Sequence, residues 1–190
     1  PTIAKDQAKK AVWAILLALT GMFLYIFIRF RRWQYGLGSV VALAHDVIIV
    51  LGLYSLLQGV MPFSMDIDQA FIAAILTVVG YSLNDTVVIF DRIREYLPIY
   101  RKRSRKEVYN MALNSTLART LNTGMATIFV LIVIFIFGGE VIRGFIFALL
   151  FGIVFGTYSS LFISTPVLFE TTKRKGEETD AHPAETEKKK

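Results

Sequence analysis

The chain has 190 residues, of which 54% are hydrophobic and 19% charged, and its mean hydropathy is +0.52. A soluble core of this size does not use that much apolar surface, so the bilayer is the expected solvent. The net charge of +6 comes from basic residues set between apolar runs, which argues against a nucleic-acid partner, and the absence of cysteine excludes disulfides, thiolate metal sites and cysteine nucleophiles.

At ~1.5 Å per helical residue, an apolar run of about 20 residues crosses a hydrocarbon core of about 30 Å. Five runs qualify, at 11–30, 38–59, 69–91, 120–138 and 142–169. None shows the two-residue alternation of a lumen-facing strand. The predicted fold class is therefore all-α, an integral membrane bundle of five transmembrane helices preceded by an outer flank at 1–10.

Between the second and third spans, residues 59–68 form a turn in which Asp66 or Asp68 can cap the third helix. After the third span, Pro98 interrupts a helical extension. Ser104-Arg105-Lys106-Glu107 then has the form of a capping box, so 92–118 is expected to be a loop and a helix lying on the membrane surface. Residues 171–190, rich in Lys, Glu and Thr, cannot bury a core and are expected to be a disordered tail.

Seventeen of the 21 Lys and Arg residues fall on the side that holds the 31–36 loop, the 92–118 segment and the tail. By the positive-inside rule that side is cytoplasmic, which puts the N-terminus outside and the C-terminus inside. The chain begins at Pro1 with no signal peptide in residues 1–10, so a further segment upstream is expected.

Ionisable groups inside spans are costly and are usually functional or paired. The second span holds His45 and Asp46, the third holds Asn84 and Asp85, and Arg119 opens the fourth, followed by Thr120, Thr123 and Thr127. These groups fall in one layer toward the cytoplasmic half. Removal from water favours a neutral carboxylate and a nearby cation favours an ionised one, so a movable Arg119 would switch Asp85 between holding and releasing a proton. The plain alternative is a static ion pair that fixes helix packing, with Thr hydroxyls bonding their own i−4 carbonyls. His45 and Asp46 fit two readings equally: a proton-passing pair, or a bonded pair within the bundle. A metal phosphohydrolase fails because the only other histidine, His182, lies in the tail. With no nucleophile beside a base and no ligand cluster, no enzyme activity and no metal or other cofactor is expected.

In the fifth span Ala148, Gly152, Gly156, Ser160 and Ser164 recur every four residues. They make a small-residue groove for close packing, within the bundle or against a partner.

The run Gly80-Tyr81-Ser82-Leu83-Asn84-Asp85-Thr86-Val87-Val88-Ile89-Phe90-Asp91-Arg92-Ile93-Arg94-Glu95, with Ala42 to Asp46 before it and Ala118-Arg119-Thr120-Leu121-Asn122-Thr123 after it, resembles the SecF subunits of the bacterial SecDF export complex. The likeness extends from residue 11 to 170 and matches the last five of that family's six spans. It implies an inner-membrane protein that pairs with SecD and works with the SecYEG translocon. It also implies use of the proton gradient to help export polypeptide, with the positions matching Asp85 and Arg119 on the proton path. Contact with the translocating polypeptide is implied only through extracytoplasmic domains outside this chain, and contact with membrane lipid along the spans. Protons are the expected coupling ion, with Na⁺ the other possibility. The alternatives are half of a resistance-nodulation-division-type exporter of small molecules or lipids, and a structural membrane scaffold. The relay residues are thus Asp85, Arg119, Asn84, Asp46, His45 and Thr123, with Gly152, Gly156 and Ser160 for helix packing. Asp85 and Arg119 are expected to face each other in the interior, within reach of a direct or water-bridged pair. His45 and Asp46 are expected to face the third span, or Asp46 alone if only one can.

Overall fold

The computed structural model describes residues 2–172, with side chains from Lys9 onward. The predicted tail beyond Thr172 lies outside the described residues. Within them every regular element is a helix: α1 (Thr2–Phe30), α2 (Trp33–Leu57), α3 (Gln69–Ile99), α4 (Arg105–Phe137), α5 (Glu140–Phe162) and α6 (Ser164–Thr172). Five segments are long and apolar enough to cross a membrane, with α5 and α6 together forming the fifth.

The helix ends follow local chemistry. Asp68 caps α3 by accepting from the Phe71 N–H at 2.8 Å, and Ser104 caps α4 by accepting from the Glu107 N–H at 3.3 Å, so both predicted caps are present. Pro98 sits at the penultimate position of α3, where its missing amide removes the bond to the Arg94 carbonyl, and the helix ends one residue later, at Ile99. The expected separate surface helix is not found: α4 runs unbroken from Arg105 to Phe137. Its sequence contains no Pro and one Gly, so nothing in it forces a break between the polar first half and the apolar second. The fifth span, predicted as one run, is divided at Ile163. Pro166 accounts for this, since it removes the amide that would bond to Phe162 four residues back and its ring crowds that carbonyl.

In the apolar windows of α3 and α5, 50% and 56% of residues are buried, against 11% in α1 and 17% in α4. The pair α3–α5 is therefore the axis of the bundle, with α2 and α6 packed on it and α1 and α4 at the periphery. The outer helices expose Leu17, Ile28, Phe129 and Phe137, an exterior suited to lipid and not to water.

The axis is close because α5 is small where α3 is not. A Cβ added at Gly152 would lie 2.3 Å from Val78 Cγ2, and one at Gly156 would lie 3.1 Å from Ser82 Cβ. At the far end of α5 the Tyr54 hydroxyl donates to the Gly144 carbonyl, tying α2 to α5. At the opposite, basic end, Arg29 and Asp91 pair at 3.0 Å between α1 and α3. That pair is exposed on both sides and adds at most about 1 kcal/mol.

Gly152→Ala is expected to destabilise the bundle by about 1–3 kcal/mol, because Val78 is β-branched and has few rotamers to retreat into. Val78→Ala in the same protein should recover most of that loss. The melting temperature of the detergent-purified protein measures both, and a Gly152→Ala protein that melts like the parent would show that the seam is not tight.

Candidate functional site

Among the described residues two carboxylates are buried, Asp46 on α2 and Asp85 on α3, and they differ in their surroundings. Asp46 lies on the inward face of α2 in register with Leu43, Val47, Val50 and Tyr54, so helix periodicity carries it into the core. Its Oδ2 accepts from the Ser82 hydroxyl of α3 at 2.9 Å and from the Ser159 hydroxyl of α5 at 2.8 Å. His45 Nδ1 lies 3.2 Å from the other oxygen. Gly156 makes room for the carboxylate, since a Cβ there would stand 3.5 Å from Asp46 Oδ2 and closer still to Ser82.

The hydroxyls continue beyond Asp46. Ser160 donates to the Ser82 carbonyl at 3.1 Å and accepts from the Thr86 hydroxyl at 2.9 Å. A chain of polar groups therefore runs from His45, whose side chain is 31% exposed, through Asp46, Ser82 and Ser160 to Thr86. Both His45 and Asp46 contribute to it, and Asp46 is the one that reaches α3. Ser82, Ser159 and Thr86 were not singled out by the sequence. Their signal was the four-residue step from Ser82 to Thr86 and the Ser159-Ser160 doublet beside the small-residue groove.

Asp85 is also buried, yet its Oδ2 has no hydrogen-bond partner among the described residues. The same holds for Thr120 Oγ1 on α4 and Thr157 Oγ1 on α5. A buried polar atom left without a partner costs about 1–3 kcal/mol, and more if charged.

Arg119 does not meet the expectation of an interior pair. It is exposed, and no ion pair with Asp85 is present among the described residues. The reason is register. The buried face of α4 carries Val108, Ala112, Thr116, Thr120 and Gly124, four apart, so Arg119 sits about 100° round the helix from Thr120. Its charge still reaches Asp85 through space.

Asn84 is exposed as well, one position round α3 from Asp85. It lines a groove of about 380 Å³ between α1 and α3 with Met22, Tyr25, Gly80, Leu83 and Val87. The exposed Thr123 donates its hydroxyl to the Arg119 carbonyl at 2.9 Å, the local i−4 bond that membrane Thr residues commonly make. The predicted single layer is thus two places: a hydrogen-bonded cluster around Asp46 at the α2–α3–α5 junction, and an unsatisfied Asp85 near the bundle surface where Asn84 and Arg119 face outward. Among the described residues no group of three or more His, Cys, Asp or Glu could hold a metal ion.

Comparison with known proteins agrees with this architecture. The family described as "Protein export membrane protein SecD/SecF, C-terminal" matches residues 1–174. A protein translocase subunit SecF of Rhodothermus marinus is 56% identical over 174 residues, covering 92% of this chain and 56% of that protein. A SecF of Rhodobacter capsulatus is 44% identical over 181 residues, covering 95% of this chain and 52% of that protein. The crystal structure of SecDF from Thermus thermophilus, a translocon-associated membrane protein, superposes with a TM-score of 0.76 at 41% identity, over 86% of this chain and 22% of that one. The chain spans about half the length of the curated relatives it matches. It belongs to the SecD/SecF family of protein-export membrane proteins, and within that family to SecF.

Proposed function

We propose that this chain is the membrane half of a SecF subunit that pairs with SecD in the inner membrane and couples proton movement to polypeptide export through the SecYEG translocon. The observation that carries this reading is the buried Asp85 oxygen without a partner, beside an arginine that faces outward. A structural ion pair would be closed, with each charge satisfied by the other. Here the carboxylate is held away from water while its nearest cation stands on a surface open to a partner. When SecD covers that surface, Arg119 moves between engaging Asp85 and releasing it, and Asp85 gives up and takes a proton in turn. Asn84 and Thr123 border the same surface and supply polar groups to the path.

Asp46 plays a different part in this scheme. Three groups hold it, so it ties α2, α3 and α5 together and fixes the register of α3, on which Asp85 rides. His45 stands at the partly exposed end of this cluster, its side chain 31% exposed, where a partner helix would meet it. Protons fit the site as coupling ion because a carboxylate with one orphan oxygen can be met by a single added hydrogen. A sodium ion needs several oxygen ligands.

In the complete SecDF complex, Asp85→Asn is expected to abolish gradient-stimulated secretion while leaving protein level and SecD association near those of the parent. Arg119→Lys should cause a serious loss of secretion too, because lysine lacks the planar fork that holds a carboxylate at two points. Thr123→Ala should be milder. Normal secretion from a well-assembled Asp85→Asn complex would overturn the relay, and loss of the protein from the membrane would favour a structural scaffold.

Asp46→Ala should act on stability first. It removes the carboxylate that ties the three helices, and the Ser82 and Ser159 hydroxyls fall back on the Gly156 carbonyl, at 3.4 and 3.2 Å, a net loss of about 0.5–1.5 kcal/mol for each bond given up. A lowered melting temperature in the purified complex is the expected outcome. Unchanged melting with lost secretion would instead make Asp46 a proton carrier.

A further inference from the structure

At the basic end of the bundle a second polar site stands apart from both carboxylates. The chain passes from α1 to α2 through only Arg31 and Arg32. Arg31 takes the left-handed conformation at φ 54° and its N–H closes on the Phe27 carbonyl at 2.8 Å. This tight link brings Arg32 over the start of α2 and against the last turns of α3. A cavity of about 220 Å³ opens there, lined by Phe30, Arg32, Tyr35, Arg94, Leu97 and Pro98. Neither Arg32 nor Arg94 makes an ion pair or hydrogen bond among the described residues.

Tyr35 forms the floor of the cavity. It is 4% exposed, stacked on Phe30 with ring centroids 4.8 Å apart and met edge-on by Phe90 at 5.2 Å. Its ring therefore has no freedom to turn away. Its hydroxyl makes no hydrogen bond among the described residues, and Tyr35 lines the cavity together with both arginines. The charges of Arg32, Arg94 and Arg105 all reach it. The first amides of α2 add to the same polarity, since Arg32 at the N-cap offers them no side-chain acceptor and a helix start favours an anion.

We propose that this cavity binds the phosphate of an anionic phospholipid headgroup, held by Arg32 and Arg94 with a hydrogen bond from the Tyr35 hydroxyl. Two guanidinium forks and a phenol match the several acceptor oxygens of a phosphodiester. The surroundings select a lipid over free phosphate. Phe30, Leu97 and Pro98 give the cavity apolar walls, and Phe27 and Ile28 continue the apolar exterior of α1 along which acyl chains would run. Trp33 stands exposed next to Arg32, an aromatic at the level where headgroups meet the hydrocarbon. Basic pockets between membrane helices suit acidic headgroups for these reasons.

The test is native mass spectrometry of the full SecDF complex released from nanodiscs of phosphatidylcholine with 20% phosphatidylglycerol, on the order used to mimic an anionic leaflet. The parent should retain phosphatidylglycerol over phosphatidylcholine, and Arg32→Gln with Arg94→Gln should lower that retention by about tenfold. Tyr35→Phe, which keeps the aromatic stack, should lower it by a few-fold and guards against loss through misfolding. Equal retention of the two lipids by the parent, or unchanged retention by the double variant, overturns the proposal. Displacement of the retained lipid by millimolar inorganic phosphate would also overturn the lipid assignment.

Discussion

The structure depends on the seam between α3 and α5. In hydrocarbon, apolar side chains gain nothing by leaving lipid for each other, so helices associate through close packing and polar contacts. Gly152 lets Val78 come to the α5 backbone and Gly156 lets Ser82 do so. One turn further on, Ser160 meets both Ser82 and Thr86. Steric fit thus grades into hydrogen bonding along a single face of α5, and Asp46 enters where the two meet. A larger residue at either glycine would move α3 outward and carry Asp85 with it.

The contrast between the two carboxylates follows from their distance to that seam. Asp46 is set where three helices meet, each able to supply a donor, and its contacts are Ser82, Ser159 and His45. Asp85 is three residues beyond Ser82 on α3, and no donor among the described residues reaches its Oδ2. A carboxylate with satisfied oxygens is a fixture, whereas one with an orphan oxygen can accept a proton or a cation without breaking an existing bond.

Most of the architecture was legible in the sequence because the bilayer reduces the problem to one of length and hydropathy. The helix starts at Gln69 and Arg105 were readable from Asp68 and Ser104, whose caps are local chemistry. The unbroken α4 was not, since a polar half followed by an apolar half looks like two helices when no neighbour is known. The division at Ile163 was readable in principle from Pro166. Arg119 and Asp85 stand out in the sequence as ionisable residues within spans, but their relative facing depends on which side of α4 packs inward. The Val108–Ala112–Thr116–Thr120–Gly124 repeat carries that information, and it was less conspicuous than the arginine itself. The hydroxyls around Asp46 were hidden because a serine in a small-residue groove serves equally as a spacer and as a donor.

The outward placement of Arg119 also bears on the life of the subunit before assembly. All the tight packing of the bundle is complete without that side chain, so synthesis, insertion and folding can finish while the arginine waits on the surface. On the reading proposed above, a lone subunit then holds a carboxylate but no engaged switch, and it offers the membrane no continuous route for protons. On the same reading, such subunits accumulate without short-circuiting a proton gradient, and a partner's arrival both finishes the complex and opens the route.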